Sequence, residues 1–227
     1  MSRVRLTLAT ALAGIAALTA CSSGGAGPDP TDSARKTDEK PAPAPRPITE
    51  ELSQAHLAQA LLGDGETLPG WTLHGDKSAT DGEYCNGADG ADSAPKGWVR
   101  GSDSSYEYDG STVNMTHVMI CLFDSPEAAH REYTAWKGTE PSKEQRPRTP
   151  LGDENTLVVN PGLSEDAVYG YLRSGKVNIR VRTEGGTAGD PSGTQAVLAA
   201  TLKRLQQLQD GGPATVTARD EQAAARQ

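Results

Sequence analysis

The four histidines of this 227-residue chain stand at positions 56, 74, 117 and 130, and no two have the i, i+4 spacing of helix-borne zinc ligands. One of them sits in Met115-x-His117-x-Met119. On a strand, alternation puts these two thioethers and the imidazole on one face in steps of about 7 Å, a donor set soft enough for Cu(I). The same residues serve as packing, with both methionines under a helix and His117 making one hydrogen bond. That reading is adopted, and neither a metal nor a cofactor is assigned. Asn86-Gly-Ala-Asp89-Gly-Ala-Asp92 offers oxygen ligands but lacks the spacing and the closing bidentate Glu of an EF-hand, so it is a solvated turn. No H-E-x-x-H, G-x-S-x-G or phosphate-cradling P-loop occurs. Ser33-Ala-Arg-Lys36 matches S-x-x-K only in a stretch with no scaffold to pose it. No catalytic residue is assigned. What remains is Tyr106, Tyr108 and His117, two aromatics and an imidazole that could line a small ligand cleft beside a hairpin.

The strongest chemistry is at the front. A cationic start, Met1 to Arg5, is followed by 13 apolar or small residues from Leu6 to Leu18, too few to cross the hydrocarbon and suited to a secretory signal. The segment closes on Leu18-Thr19-Ala20-Cys21, which resembles the lipobox of bacterial lipoproteins. The resemblance implies cleavage between Ala20 and Cys21, with a palmitate-bearing diacylglycerol on the Cys21 sulfur and Cys21 as the mature N-terminus. Two or more acyl chains anchor firmly where one is marginal. Ser22 to Pro47 then carries six prolines and almost no large apolar side chain, so residues 21–48 form a disordered tether. The 26 residues from Ser22 to Pro47 reach roughly 30 Å, enough to stand a domain off a membrane surface. With Cys21 lipidated, Cys85 and Cys121 remain, and an even pair in an oxidising compartment pairs as a disulfide.

The elements that must position these residues follow from periodicity and punctuation. Thr49 caps a helix from Glu50 to about Leu62, and Leu68-Pro69-Gly70-Trp71 delivers a short strand to His74. Residues 75–103 are loop. Ser104–Tyr108 and Thr112–Phe123 form a hairpin about Asp109-Gly110. The second half of the long strand is apolar on both sides, so it is a central strand covered twice. Pro126 opens a helix ending at Gly138, with Ala129, Tyr133 and Trp136 on its buried stripe. A charged connection leads to a second hairpin, Asp166–Leu172 and Lys176–Thr183, then to a helix from Pro191 to about Gln209. The chain thus holds two strand-turn-strand-helix units, and the fold class is α+β: one domain over 49–210, with helices packed on an antiparallel sheet. Residues 211–227 are a disordered tail.

Composition excludes some function classes. The net charge is −8, which disfavours nucleic acid because phosphate neutralisation needs a basic face. The Ala/Gly/Arg/Asp-rich, Lys-poor composition together with the leader looks actinobacterial. The chain with its lipobox, Pro/Ala tether, Leu68-Pro-Gly-Trp71, Phe123-Asp-Ser-Pro-Glu-Ala-Ala129 and Arg173-Ser-Gly-Lys-Val-Asn-Ile179 resembles small sensor-like lipoproteins. These are similar to the extracellular sensor domain of actinobacterial serine/threonine kinases. That family carries two disulfides where this chain can offer one. The resemblance implies a lipid-anchored, non-catalytic module on the outer face of the cell membrane, binding an unknown ligand or protein partner. An extracytoplasmic envelope hydrolase and an assembly partner of a membrane complex are the alternatives.

Overall fold

The computed structural model describes residues 46–88, 91–138, 144–147, 149–160, 167–185 and 191–226. Contacts divide the chain into Met1–Ala42 and Pro43–Gln227. The expected signal segment, Ala20, Cys21, most of the expected tether and Asp89 lie outside the described residues.

Seven strands make one antiparallel sheet in the order β1-β2-β3-β7-β6-β5-β4: β1 Trp71–Thr80, β2 Trp98–Tyr108, β3 Ser111–Phe123, β4 Glu144–Gln145, β5 Glu154–Asn160, β6 Ala167–Ser174 and β7 Val177–Glu184. Four helices pack on it among the described residues: α1 Gln54–Ala60, α2 Pro126–Gly138, α3 Pro191–Gln209 and α4 Ala218–Ala224. The class is α+β, as the sequence leads one to expect. The two hairpin-plus-helix units are β2-β3-α2 and β6-β7-α3. Their inner strands pair directly, with Val118 opposite Val181 and Ile120 opposite Ile179.

β3 is covered twice because its alternation serves two cores. Val118, Ile120 and Leu122 join Val177, Ile179 and Val181 beneath α1 and α3, against Leu57, Leu198, Leu202 and Leu205. Cys121 and Phe123 point the other way, into a second core made with Ala129, Tyr133 and Trp136 of α2 and with Tyr171 of β6. The two units therefore send their helices to opposite faces. Apolar-on-both-sides sequence in the second half of β3 is the signature of that sandwiching, whereas β7 is apolar only on the α3 face and carries Asn178, Arg180 and Arg182 on the other.

Several elements differ from the sequence expectation. The first helix starts at Gln54, where Ser53 Oγ accepts from the His56 N–H. Thr49 cannot cap it, since the Thr49 and Glu50 N–H groups are taken by the Gln209 side chain, at 2.7 and 3.1 Å, which holds this stretch extended. Ile48 is fully buried there, so the folded unit begins before residue 49. β1 runs on to Thr80 past a register shift between His74 and Ser78, and β2 begins at Trp98, which shrinks the expected 75–103 loop. β5 escapes periodicity analysis because its apolar run is only Leu157-Val158-Val159; its partner β6 supplies the rest of its stability through seven paired positions. The hairpin at Asp109-Gly110 has positive φ at both residues, 48° and 71°, the geometry that matches strand twist in a two-residue turn.

The disordered-tail expectation is corrected. Residues 218–224 form α4, capped by Thr217 Oγ1, which accepts from Asp220 N–H at 3.1 Å. The approach to it is pinned by the Gln207 side chain, whose Oε1 accepts from Thr215 N at 2.9 Å, and by Ala218 N donating to Glu66 O at 2.8 Å. The polar Ala/Arg/Gln composition of this segment gives no hint of these long-range anchors.

Candidate ligand-binding cavity

Cys85 and Cys121 are joined as a disulfide with their Cα atoms 5.8 Å apart, stapling the 3₁₀ turn Gly82–Cys85 onto β3. The other three residues expected to act together do not share a cleft. Tyr106 is 1% exposed and lies in the core under α1. Its hydroxyl donates to Leu62 O at 2.9 Å and accepts from Ser104 Oγ at 2.7 Å, and burial pushes its pKa up to about 12. Tyr108, half-buried on the same face, lies 5.5 Å from the Trp71 ring. Gly70 permits this approach: its φ is +84°, and a Cβ there would strike the Tyr108 ring. His117 faces the opposite side of the sheet, since alternation on β3 separates it from the Thr116 that pairs with Tyr106.

On that opposite side, α2 and the disulfide cover only part of the sheet. The exposed remainder carries His74 bonded to Glu107 at 2.9 Å, and His117 with its Nδ1 2.9 Å from Ser105 Oγ. Met119 flanks His117 half-buried, while Met115 is buried. Arg180 and Arg182 each stack 5.5 Å from the Tyr169 ring centre. Burial and the neighbouring Arg182 charge lower the His117 pKa, opposed in part by Asp103. The Ser105–His117 pair looks like part of a hydrolytic triad. Ser105, however, sits mid-strand, where regular pairing to β1 and β3 commits the backbone N–H groups that an oxyanion would need. Among the described residues no carboxylate hydrogen-bonds the second imidazole nitrogen.

The large concavity lies elsewhere, where α4 crosses α3 beside the β4–β5 connection. It is a part-open concavity of about 710 Å³, a size that accommodates a small ligand. One face of α3, Ser192, Gln195, Ala196, Ala199 and Lys203, forms one wall at helical spacing. Leu157 of β5 and Leu151 form the floor, Arg146 leads in after β4, and Gln222, Ala225 and Arg226 close the far side. Gln195 Nε2 donates to Thr149 O at 3.1 Å, fixing the connection to α3. Lys203 Nζ reaches both Glu221 oxygens, at 2.7 and 2.9 Å, fixing α4. A smaller cavity of about 280 Å³ flanks it, floored by Trp71, Thr116 and Val197, and Gln222 lines both.

The α4 wall depends on Arg204, a buried cation on α3. It donates to Gln59 O at 2.8 Å and to Val216 O at 3.2 Å, and it pairs with Glu66 at 3.0 Å. With Lys77 Nζ on Leu61 O and the Tyr106 hydroxyl on Leu62 O, it answers carbonyls that α1 leaves open at its C-terminal end. Burial and the Arg204 charge lower the Lys77 pKa, offset in part by Glu66.

Sequence reasoning missed the cavity. Its walls come from segments around 146–157, 191–203 and 221–226, one of them assigned to connection and another to tail, and no local motif links them. The calcium-like loop is also spent locally: Asn86 Oδ1 accepts from Ala88 N at 3.0 Å, and its amide donates to Ser93 O. Among the described residues no group of three or more His, Cys, Asp and Glu side chains is placed to hold a metal.

No protein-family model matches the sequence, and no curated protein matches it. Among solved structures, the extracellular domain of PknH from Mycobacterium tuberculosis is similar, with a TM-score of 0.51 at 10% sequence identity. The match covers 72% of this chain and 99% of that one. At that identity the likeness establishes a shared fold. No helix among the described residues is long and apolar enough to cross a membrane.

Proposed function

We propose that this chain is a lipoprotein of the outer face of the cell membrane, held by lipid on Cys21, whose folded unit is a non-catalytic ligand-binding module. The observation that carries the binding role is the cavity of about 710 Å³ between α3, α4 and the β4–β5 connection. The Cys85–Cys121 disulfide and the fold shared with an extracellular domain support an extracytoplasmic site of action. The leader ending in Leu18-Thr19-Ala20-Cys21 supports the anchor.

The binding role is tested by a thermal-shift screen of envelope-derived compounds, repeated on Ala199→Trp, which fills the cavity from its α3 wall. A ligand held at 100 times its dissociation constant adds about 2.7 kcal/mol, a rise of roughly 5–10 °C for a unit of this size. A shift lost in Ala199→Trp supports the reading. A flat screen, or shifts indifferent to Ala199→Trp, overturns it. Metabolic labelling with a clickable fatty acid tests the anchor: label is expected on the natural chain and absent from Cys21→Ser.

A further inference from the structure

Among the described residues, the charged side chains lining the cavity are three cations, Arg146, Lys203 and Arg226, and one carboxylate, Glu221, on a chain of net charge −8. Lys203 and Glu221 neutralise each other. The guanidinium groups of Arg146 and Arg226 are exposed and make no ion pair or side-chain hydrogen bond among the described residues. Both arginines line the cavity of a protein whose net charge is negative. Each presents a planar fork of donors that matches the two oxygens of a carboxylate or phosphate.

Between them the described lining is mostly apolar, with Leu151, Leu157, Ala196 and Ala199 forming an aliphatic strip beside the polar Thr149, Ser192, Gln195 and Gln222. Aliphatic side chains leave a sugar's hydroxyls unpaired, at a cost for each one desolvated. Among the described residues no Phe, Tyr or Trp lines the cavity, so they offer a sugar ring or nucleobase no stacking platform. Hydrocarbon is the complement of such a wall.

We propose that the cavity binds an anionic amphiphile, its carboxylate or phosphate held by Arg146 and Arg226 and its alkyl chain laid along Leu157, Ala196 and Ala199. The inference rests on the binding role given above and names its ligand class. The arginines set the charge selectivity and the aliphatic wall sets the requirement for a chain.

The test uses the full chain carrying Cys21→Ser, so that no attached lipid competes, and five probes below their micelle concentrations. These are dodecanoate, dodecyl phosphate, dodecanol, dodecyltrimethylammonium and inorganic phosphate, measured by calorimetric titration. Dodecanoate or dodecyl phosphate is expected to bind at least tenfold more tightly than dodecanol, with the ammonium weakest; which of the two anions leads separates a fatty-acid source from a phospholipid one. Arg146→Gln combined with Arg226→Gln should bring the anions to the dodecanol level while leaving the melting temperature within about 1 °C, since both side chains are exposed. Ala199→Trp should remove binding of all chain-bearing probes. Equal binding of dodecanol and dodecanoate, anion binding unchanged in the double variant, or inorganic phosphate binding as well as dodecyl phosphate each overturns the inference. If none of the five binds while another screened compound gives a shift lost in Ala199→Trp, the ligand class fails and the binding role stands. If no compound at all depends on Ala199, both fail together.

Discussion

Arg204→Met is the substitution that reports most directly on how the molecule is held together. Methionine keeps the length of the stem and its packing but removes every donor. Gln59 O and Val216 O lose their partners, and Glu66 loses its ion pair. Removing one member of a buried charged network costs ~3–5 kcal/mol. Both carbonyls are only part-buried and the Glu66 side chain is 32% exposed, so water recovers some of that loss. The expected cost is about 3 kcal/mol, a large part of the ~5–15 kcal/mol that holds a domain folded. Urea unfolding with the disulfide intact measures it as a lower midpoint at unchanged slope. Glu66→Gln should cost less, about 1 kcal/mol, because Glu66 still accepts from Gly63 N and reaches solvent. Hydrogen exchange adds a spatial check: amides from Val216 through α4 should lose protection before those of β3. A loss under 1 kcal/mol, or equal loss of protection in β3 and α4, would refute the view that Arg204 ties α1, α3 and the C-terminal segment together.

Other expectations are simpler. Replacing Cys85 and Cys121 together by alanine opens a loop of separation 36 and should destabilise the protein by about 4 kcal/mol in chemical denaturation. Gly175→Ala places a Cβ against Ile48 O at a φ of +56°, pushing away the segment that accepts from Lys176 N. A cost of about 1–3 kcal/mol follows, and no change in melting temperature would count against the docking of Ile48. Glu154 is raised by burial but lowered more by hydrogen bonds from Arg173 and His130, so its pKa sits below the usual 4.5. Its contribution is therefore full above pH 4.5 and is lost as pH falls through the lower native value. Glu154→Gln should flatten that acid limb of the urea midpoint, and an unchanged limb would show that other carboxylates set it.

Much of the architecture was legible because it rests on local patterns. Pro126 and Pro191 mark helix starts, Asp109-Gly110 demands a tight turn, and Val118 to Phe123 is apolar on both faces. The two hairpins both carry Tyr-x-Tyr, and the structure sends them to opposite faces: Tyr106 faces the core under α1, and Tyr169 and Tyr171 face α2 and the two arginines. Spacing to the turn decides this, and one extra residue on a strand exchanges its faces. The cleft expected from Tyr106, Tyr108 and His117 failed for the same reason.

What the sequence determined by itself was whatever depends on neighbours in the chain: the leader and tether pattern, the α+β class, the helix starts and the hairpin turns. The parity of Cys85 and Cys121 reached further, because only two cysteines remained to pair. The tertiary structure alone decided the rest. Ile48 and α4 belong to the fold because Lys176 and Glu66 reach them from distant positions, helped by Gln207 and by Arg204, which bridges Val216 to the far-off Gln59. The cavity exists because those contacts hold α4 across α3. Hydrogen bonds between residues more than a hundred positions apart leave no periodicity in a sequence, so a wall built on them is visible only once the chain has folded.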